Sequence, residues 1–356
     1  MGVNNGGDNY SMRPQSQSEF LRHFDVPTDD VRYRGQAGVY NATLFGSATQ
    51  GNRVHVIMLD ARYHRSPTFL EYGACRGAAS TMLGDEQWSW LEQQLSATSE
   101  ITVIGSGTQV LPPLNRDRPM TDYCAYGDGA EFNAAIANLE ETAASGTGYE
   151  SWAEMPVERE RLLRLAQRAI NSGKTKLVIF VSGDQHWGEL LQKTTPSSVA
   201  DGAAVTFYEV TASGFDQAFP EDVPSPNRLP VWADSQGDGT FDSRCKLPFG
   251  HAGMTYDGCT TADRATPWCY TELDGHGDGV PGAWGECAPA GATIPSGQVG
   301  VISSDVVTYT TQDRHIINKP ESKYGTIAID WERQKVTLKL ETPTEVAVST
   351  IIPFQP

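Results

Sequence analysis

The chain has 356 residues and a formal net charge of -17, from 27 Lys and Arg against 44 Asp and Glu. Phosphate backbones and anionic membranes are bound by clustered cations, and the sequence has no block of Lys or Arg, which argues against a nucleic-acid or membrane-surface partner. A phosphate substrate is not excluded, because a bound metal brings its own positive charge. No apolar run approaches the roughly 18–20 residues that a membrane span requires, and the length suits one large core or one core with a small module.

The first 50 or so residues are polar and rich in Gly and Asn, with a short helical patch at Glu19–Phe24. The run from Val54 to Asp60 is the first clear buried strand, and it leads into Asp60-Ala-Arg62. Trp88, Leu91 and Leu95 then recur on one face of a helix, with Asp85 and Glu86 in the first turn, where the helix dipole favours acids. A second strand covers Ile101–Gly105. Residues 111–155 form a long irregular segment of Pro, Asp, Gly and Tyr, of the kind that serves as a lid or stays disordered. Pro156 opens a helix that runs through Ile170, with Leu162, Leu163, Ala166 and Ile170 on one side and Gly173 at its end.

That helix feeds an unbroken apolar run, Leu177–Val181, which reads as a strand buried on both faces. Val205–Thr211 is another strand, and Gly325–Trp331 with Lys335–Leu340 reads as a hairpin around Glu332-Arg333-Gln334. Helices and strands alternate early and strands dominate late, so the expected fold class is a layered α/β domain with mixed sheets.

Four of the six cysteines, Cys245, Cys259, Cys269 and Cys287, crowd a segment rich in Gly, Asp and Trp. They form no C-x-x-C pair, so two disulfides stapling a loop-rich segment fit better than a zinc site. Cys75 and Cys124 stand apart. Asp234–Asp242 and Asp274–Gly279 share Asp and Gly positions with calcium loops but lack the closing bidentate Glu, so they read as solvated turns. Disulfides, with sequons at Asn9 and Asn41, point to a secreted chain, yet residues 1–10 lack the features of a signal peptide. The expectation is that the amino end is incomplete.

Three strand ends carry polar groups suited to one site: Asp60-x-Arg62, Asp184-x-His186 and Thr211-Ala-Ser213-Gly214. Ligands in α/β sheets sit off the carboxyl ends of strands. A guanidinium such as that of Arg62 forks onto two phosphate oxygens, although an ion pair with Asp60 is an alternative. Asp184 and His186 are donors suited to Fe, Zn, Mn or Ca, and a turn Asp with a capping His is the plainer reading.

Leu59-Asp-Ala-Arg-Tyr-His-Arg-Ser66, Met82-Leu-Gly-Asp-Glu-Gln-Trp-Ser-Trp-Leu91, Val181-Ser-Gly-Asp-Gln-His-Trp187, Tyr208-Glu-Val-Thr-Ala-Ser-Gly214 and Gly325-Thr-Ile-Ala-Ile-Asp-Trp-Glu332 resemble, in order and spacing, the PhoD-like alkaline phosphatases. These belong to the calcineurin-like metallophosphoesterases. The resemblance implies a four-layer αββα sandwich, incomplete here at the amino end, and secreted, extracellular or periplasm-like hydrolysis of phosphate mono- and diesters. It implies iron and calcium, or other divalent metals, as cofactors. His186 is then a metal ligand, Asp184 a metal ligand or proton-steering group, and Arg62 the substrate's phosphate clamp. Gly2–Tyr10 resembles the stretch just after the family's Trp-Asp-Asp-His-Asp motif, which makes Asn4 or Asn5 a further metal ligand. The family's upstream Cys, Asp and Tyr ligands are missing, so activity of this chain alone is expected to be compromised.

The cysteine-rich segment, with Tyr256, Trp268-Cys269 and Trp284-Gly-x-Cys287, resembles a fibronectin type II module. The resemblance implies pairing of Cys245 with Cys269 and of Cys259 with Cys287. It also implies a shallow aromatic pocket, lined by Tyr256, Trp268 and Trp284, with a polymer or glycan as ligand; a small stapled core is the alternative for these rings. The expected organisation is a phosphoesterase core at 1–224 and 296–356 with an insert at 225–295. The alternative function is a non-catalytic secreted binding protein acting through the insert.

Overall fold

The computed structural model describes residues 6–67, 80–111, 150–152, 155–186, 188–195, 197–213, 232–241, 243–246, 249–256, 259–287, 307–309, 324–344 and 346–354. Its principal helices are α1 (Arg13–His23), α2 (Gly84–Ser96) and α3 (Pro156–Asn171). The main sheet contains β1 (Asn41–Phe45), β2 (Val54–Met58), β3 (Ile101–Gly105), β4 (Leu177–Ser182), β5 (Gly188–Thr195) and β6 (Val205–Ala212). The cysteine-rich segment holds β7 (Trp232–Asp234), β8 (Ser243–Arg244), β9 (Phe249–His251), β10 (Met254–Tyr256), β11 (Trp268–Tyr270) and β12 (Trp284–Cys287). Then come β13 (Val307–Tyr309), β14 (Tyr324–Asp330), β15 (Lys335–Glu341) and β16 (Val346–Pro353).

The seven-stranded sheet has the order β1-β2-β3-β4-β6-β5-β13. Its centre, β2, β3, β4 and β6, is parallel, while β1, β5 and β13 pair antiparallel at the flanks. β4 explains why. Its residues alternate between two cores: Val178 and Phe180 pack with Trp88, Leu91, Leu162 and Leu163 of α2 and α3, and Leu177 and Ile179 pack with Val336, Leu338 and Leu340 of β15. A strand buried on both faces needs a layer on each side, and each such aliphatic side chain removed from water stabilises by about 1.5–3 kcal/mol. The described residues therefore stack as helices, a mixed sheet, and a second sheet of order β14-β15-β16.

The amphipathic helices and the β14–β15 hairpin form where their patterns predict. The amino-terminal helix starts earlier than its pattern indicates, at Arg13 rather than Glu19, because Pro14 near its start suits a first helical turn although only Leu21 is buried. Outside the cysteine-rich segment, four strands were not read from the sequence: β1, an edge strand with Leu44 and Phe45 exposed, β5, which carries buried Glu189 and Lys193, β13, and β16, an edge strand of the second sheet.

The cysteine-rich segment forms a four-stranded sheet, β11-β12-β7-β8, and a two-stranded one, β9-β10. Disulfides join Cys245 to Cys269 and Cys259 to Cys287. Phe249, Trp268, Cys269 and Ala233 are its buried core, with Tyr256, Tyr270 and Trp284 packed against it. Of the three pocket candidates, Trp268 is thus core, while half-buried Trp284 carries the Arg264 guanidinium over its face, 3.3 Å from the ring centroid. The two acidic loops are Asx turns: Asp234 accepts from the backbone of Gly237 and Gly239, and Asp274 from that of His276 and Asp278.

Candidate active site

In-register parallel pairing sets the carboxyl ends of the central strands level. Met58 lies opposite Gly105, Gly105 opposite Val181, and Ser182 opposite Thr211. The loops leaving these ends therefore emerge side by side, bringing together Asp60–Arg65, Ser106–Leu111, Gly183–His186 and Ser213.

The first loop is fixed by its own backbone. Buried Asp60 accepts from the N–H groups of Arg62 and Tyr63 through Oδ1, each at 2.9 Å, and from that of Val39 through Oδ2. Buried Gln87 of α2 grips the same residue, accepting from Asp60 N and donating to Asp60 O. Gly84 has φ +73°, and a Cβ there would stand 2.9 Å from the His64 ring, so this close approach of α2 to the loop requires glycine. An ion pair between Arg62 and Asp60 is not what forms; the Asp60 carboxylate is committed to the backbone.

The Arg62 side chain reaches across to the other loops. Its Nη1 donates to Glu150 Oε1 at 2.6 Å, and its Nη2 lies 3.5 Å from Asp184 Oδ2. Fully buried Arg65 places Nη1 2.5 Å from the same Glu150 oxygen. Burial pushes the Glu150 carboxyl up from its ordinary range, against the opposing pull of Arg62 and Arg65. Glu150 Oε2 and Thr108 Oγ1 are buried without a hydrogen-bond partner among the described residues. Buried polar atoms of this kind cost about 1–3 kcal/mol each unless a ligand or water meets them.

Asp184 and His186 both sit at positive φ, +71° and +61°. Left-handed backbone at a non-glycine residue is costly and collects at functional sites. Two tethers hold this turn. Between the two residues, buried Gln185 donates Nε2 to Glu150 O at 2.6 Å, and His186 N donates to Ser213 Oγ at 3.1 Å. Asp184 remains well exposed, with 40% of its side chain accessible.

Beneath the turn lies a buried polar layer. Glu209 of β6 accepts from the N–H groups of Val110 and Leu111, and Gln109 donates to Glu189 and to Thr211. Glu209 is raised by burial, opposed by those two N–H groups and by Arg159.

The structure thus brings Arg62 and Asp184 into contact and sets His186 in the same turn. Asn4 and Asn5 lie outside the described residues, as do Cys75 and Cys124. Glu150 was not read from the sequence; it lies inside the long irregular segment 111–155, with no motif around it. Asp184 and His186 suit a hard or borderline cation. Among the described residues the one group of three potential metal donors is Cys245, Cys269 and Cys287, which are disulfide-bonded. The Asp–His pair therefore fits part of a metal's shell without completing one.

A family model for PhoD-like phosphatases matches residues 26–231, more than half of the chain. The chain belongs to the PhoD-like phosphatase family. A second model, for the fibronectin type II domain, matches residues 245–287 of this PhoD-like chain, which span both disulfides. A solved PhoD structure is similar at 15% identity and a TM-score of 0.36. That alignment covers 65% of this chain and 39% of the other, so the chain matches well under half of its length. No curated protein matches the chain.

Proposed function

We propose that this PhoD-like chain acts in metal-dependent hydrolysis of phosphate mono- and diesters in a secreted or extracellular setting. The observation that carries the reading is the approach of Arg62 Nη2 to Asp184 Oδ2, 3.5 Å, off the carboxyl ends of β2 and β4, the parallel strands on either side of β3. A phosphate clamp thereby stands beside a metal-donor turn. Asp184 and His186 would hold metal, with iron and calcium as the set implied by the family, and residues beyond the described ones, such as Asn4 or Asn5, would add ligands. A metal there would lower the pKa of its water and neutralise phosphoryl oxygens. Arg62 binds and orients the phosphate, Asp184 holds metal or steers a proton, and the Ser213 and Gln185 tethers keep the turn from relaxing. We place the phosphoesterase core at 1–224 and 296–356 and the insert at 225–295.

The test is turnover of a chromogenic phosphate ester with added iron and calcium. Activity lost in chelator and in His186→Ala supports the reading. Absence of turnover by the wild-type chain and by any longer form of it favours the second one, a binding protein acting through its fibronectin type II-like module. The match of residues 245–287 to the fibronectin type II domain is the observation that favours that reading.

A further inference from the structure

We infer that Glu150 is a positioning residue that anchors Arg62 by one guanidinium nitrogen and leaves its other edge for a phosphate. This rests on the reading of Arg62 as the phosphate clamp. Glu150 Oε1 is 2.6 Å from Arg62 Nη1 and 2.5 Å from Arg65 Nη1, so those two nitrogens lie within about 5 Å of each other. Two guanidinium groups that close repel unless a carboxylate lies between them, and Arg65 is fully buried, so it cannot move away. Glu150 therefore sets where Arg62 rests.

The anchor is itself fixed. Its carbonyl accepts from Gln185, the residue between Asp184 and His186, so one residue joins the clamp to the donor turn. Its side chain is 6% exposed, and Oε2 has no hydrogen-bond partner among the described residues. That single-oxygen arrangement is informative. Asp30, by contrast, gives both of its oxygens to the Arg32 fork. Here one oxygen bridges two arginines, and Arg62 Nη2 faces Asp184 Oδ2 at 3.5 Å, within ion-pair range but longer than a close hydrogen bond. If Glu150 lost its charge, Arg62 would be driven from Arg65 towards the Asp184 carboxylate, and the edge meant for phosphate would be occupied.

The experiment measures inorganic phosphate binding by calorimetry on the full chain with iron and calcium present, for wild type, Glu150→Gln, Glu150→Asp, Arg62→Gln and the double variant Glu150→Gln/Arg62→Gln. The expected result is a Kd raised at least tenfold in Glu150→Gln, a smaller rise in Glu150→Asp, and a double variant no weaker than Arg62→Gln alone. Should Glu150→Gln fail to fold, Glu150→Asp carries the test, because it keeps the charge while drawing Arg62 back. An unchanged Kd in both Glu150 variants beside a weakened Arg62→Gln overturns the anchoring role and leaves the clamp standing. Independent, additive losses in the double variant overturn it too. If wild type and Arg62→Gln bind phosphate alike, or neither binds, the clamp reading falls and the anchor with it.

Discussion

The disulfides of the cysteine-rich module should carry most of its stability, and opening one should unfold it without disturbing the main sheet. Cys259 and Cys287 are separated by 28 residues and Cys245 and Cys269 by 24. Loop-closure entropy assigns such bridges about 3.6 and about 3.4 kcal/mol, respectively. The module's own buried core is four residues, Ala233, Phe249, Trp268 and Cys269. A core of that size rarely supplies more than about 3–5 kcal/mol, so each bridge is worth nearly as much as all the packing. The perturbation is Cys259→Ser/Cys287→Ser, read by hydrogen exchange with mass spectrometry. The reporter amides are Thr260 and Trp268, which exchange backbone hydrogen bonds at 2.9 Å inside the loop. A loss of about 3.6 kcal/mol lowers their protection by roughly 400-fold. Peptides covering Leu177–Ser182, in the centre of the main sheet, should keep theirs. A loss below about tenfold at the reporters, or equal losses in both regions, would refute the reasoning.

Glu209→Ala leaves the N–H groups of Val110 and Leu111 buried without an acceptor. At about 1–3 kcal/mol each, it should destabilise the chain by roughly 2–6 kcal/mol in urea unfolding, and a change under about 1 kcal/mol would show that these groups find other partners. Asp30 is held at about 2, from an ordinary 3.8, by its fork onto Arg32. A depressed carboxyl pKa stabilises above the unfolded value, so the advantage of wild type over Asp30→Asn should be complete above pH 3.8 and fade as pH falls through about 2. Urea midpoints of the two proteins at pH 5 and pH 2 check this; a gap that widens in acid has the wrong sign.

The fold was legible wherever one side-chain pattern answered to one packing partner. Trp88, Leu91 and Leu95 share a helical face because all three enter one core, and they are all buried. β4 reads as doubly buried because alternate residues meet helices and the second sheet. β5 was silent for the opposite reason. Glu189 and Lys193 lie fully buried within it, and charged residues are tolerated there only because other parts of the chain supply polar partners, such as Gln109 for Glu189. No local pattern can announce a partner 80 residues away.

The same distinction divides the site. Asp184, His186 and Arg62 stood out because chemistry placed just past a buried strand is a local signal. What Arg62 does with its charge was not local. The nearest carboxylate in sequence, Asp60, is taken up by the backbone of its own loop. The carboxylate that holds the guanidinium is Glu150, 88 residues away. An Asp two residues before an Arg thus shaped the loop that presents it, and the ion pair was left to a residue with no motif. The strain at Asp184 and His186 obeys the same logic: positive φ at both is sustained by Gln185 reaching Glu150 and by Ser213 receiving the His186 N–H. Removing either tether should let the turn relax before any core residue moves, which makes the D-x-H geometry a property of the ends of β4 and β6 and of Glu150 together and not of the motif that names it.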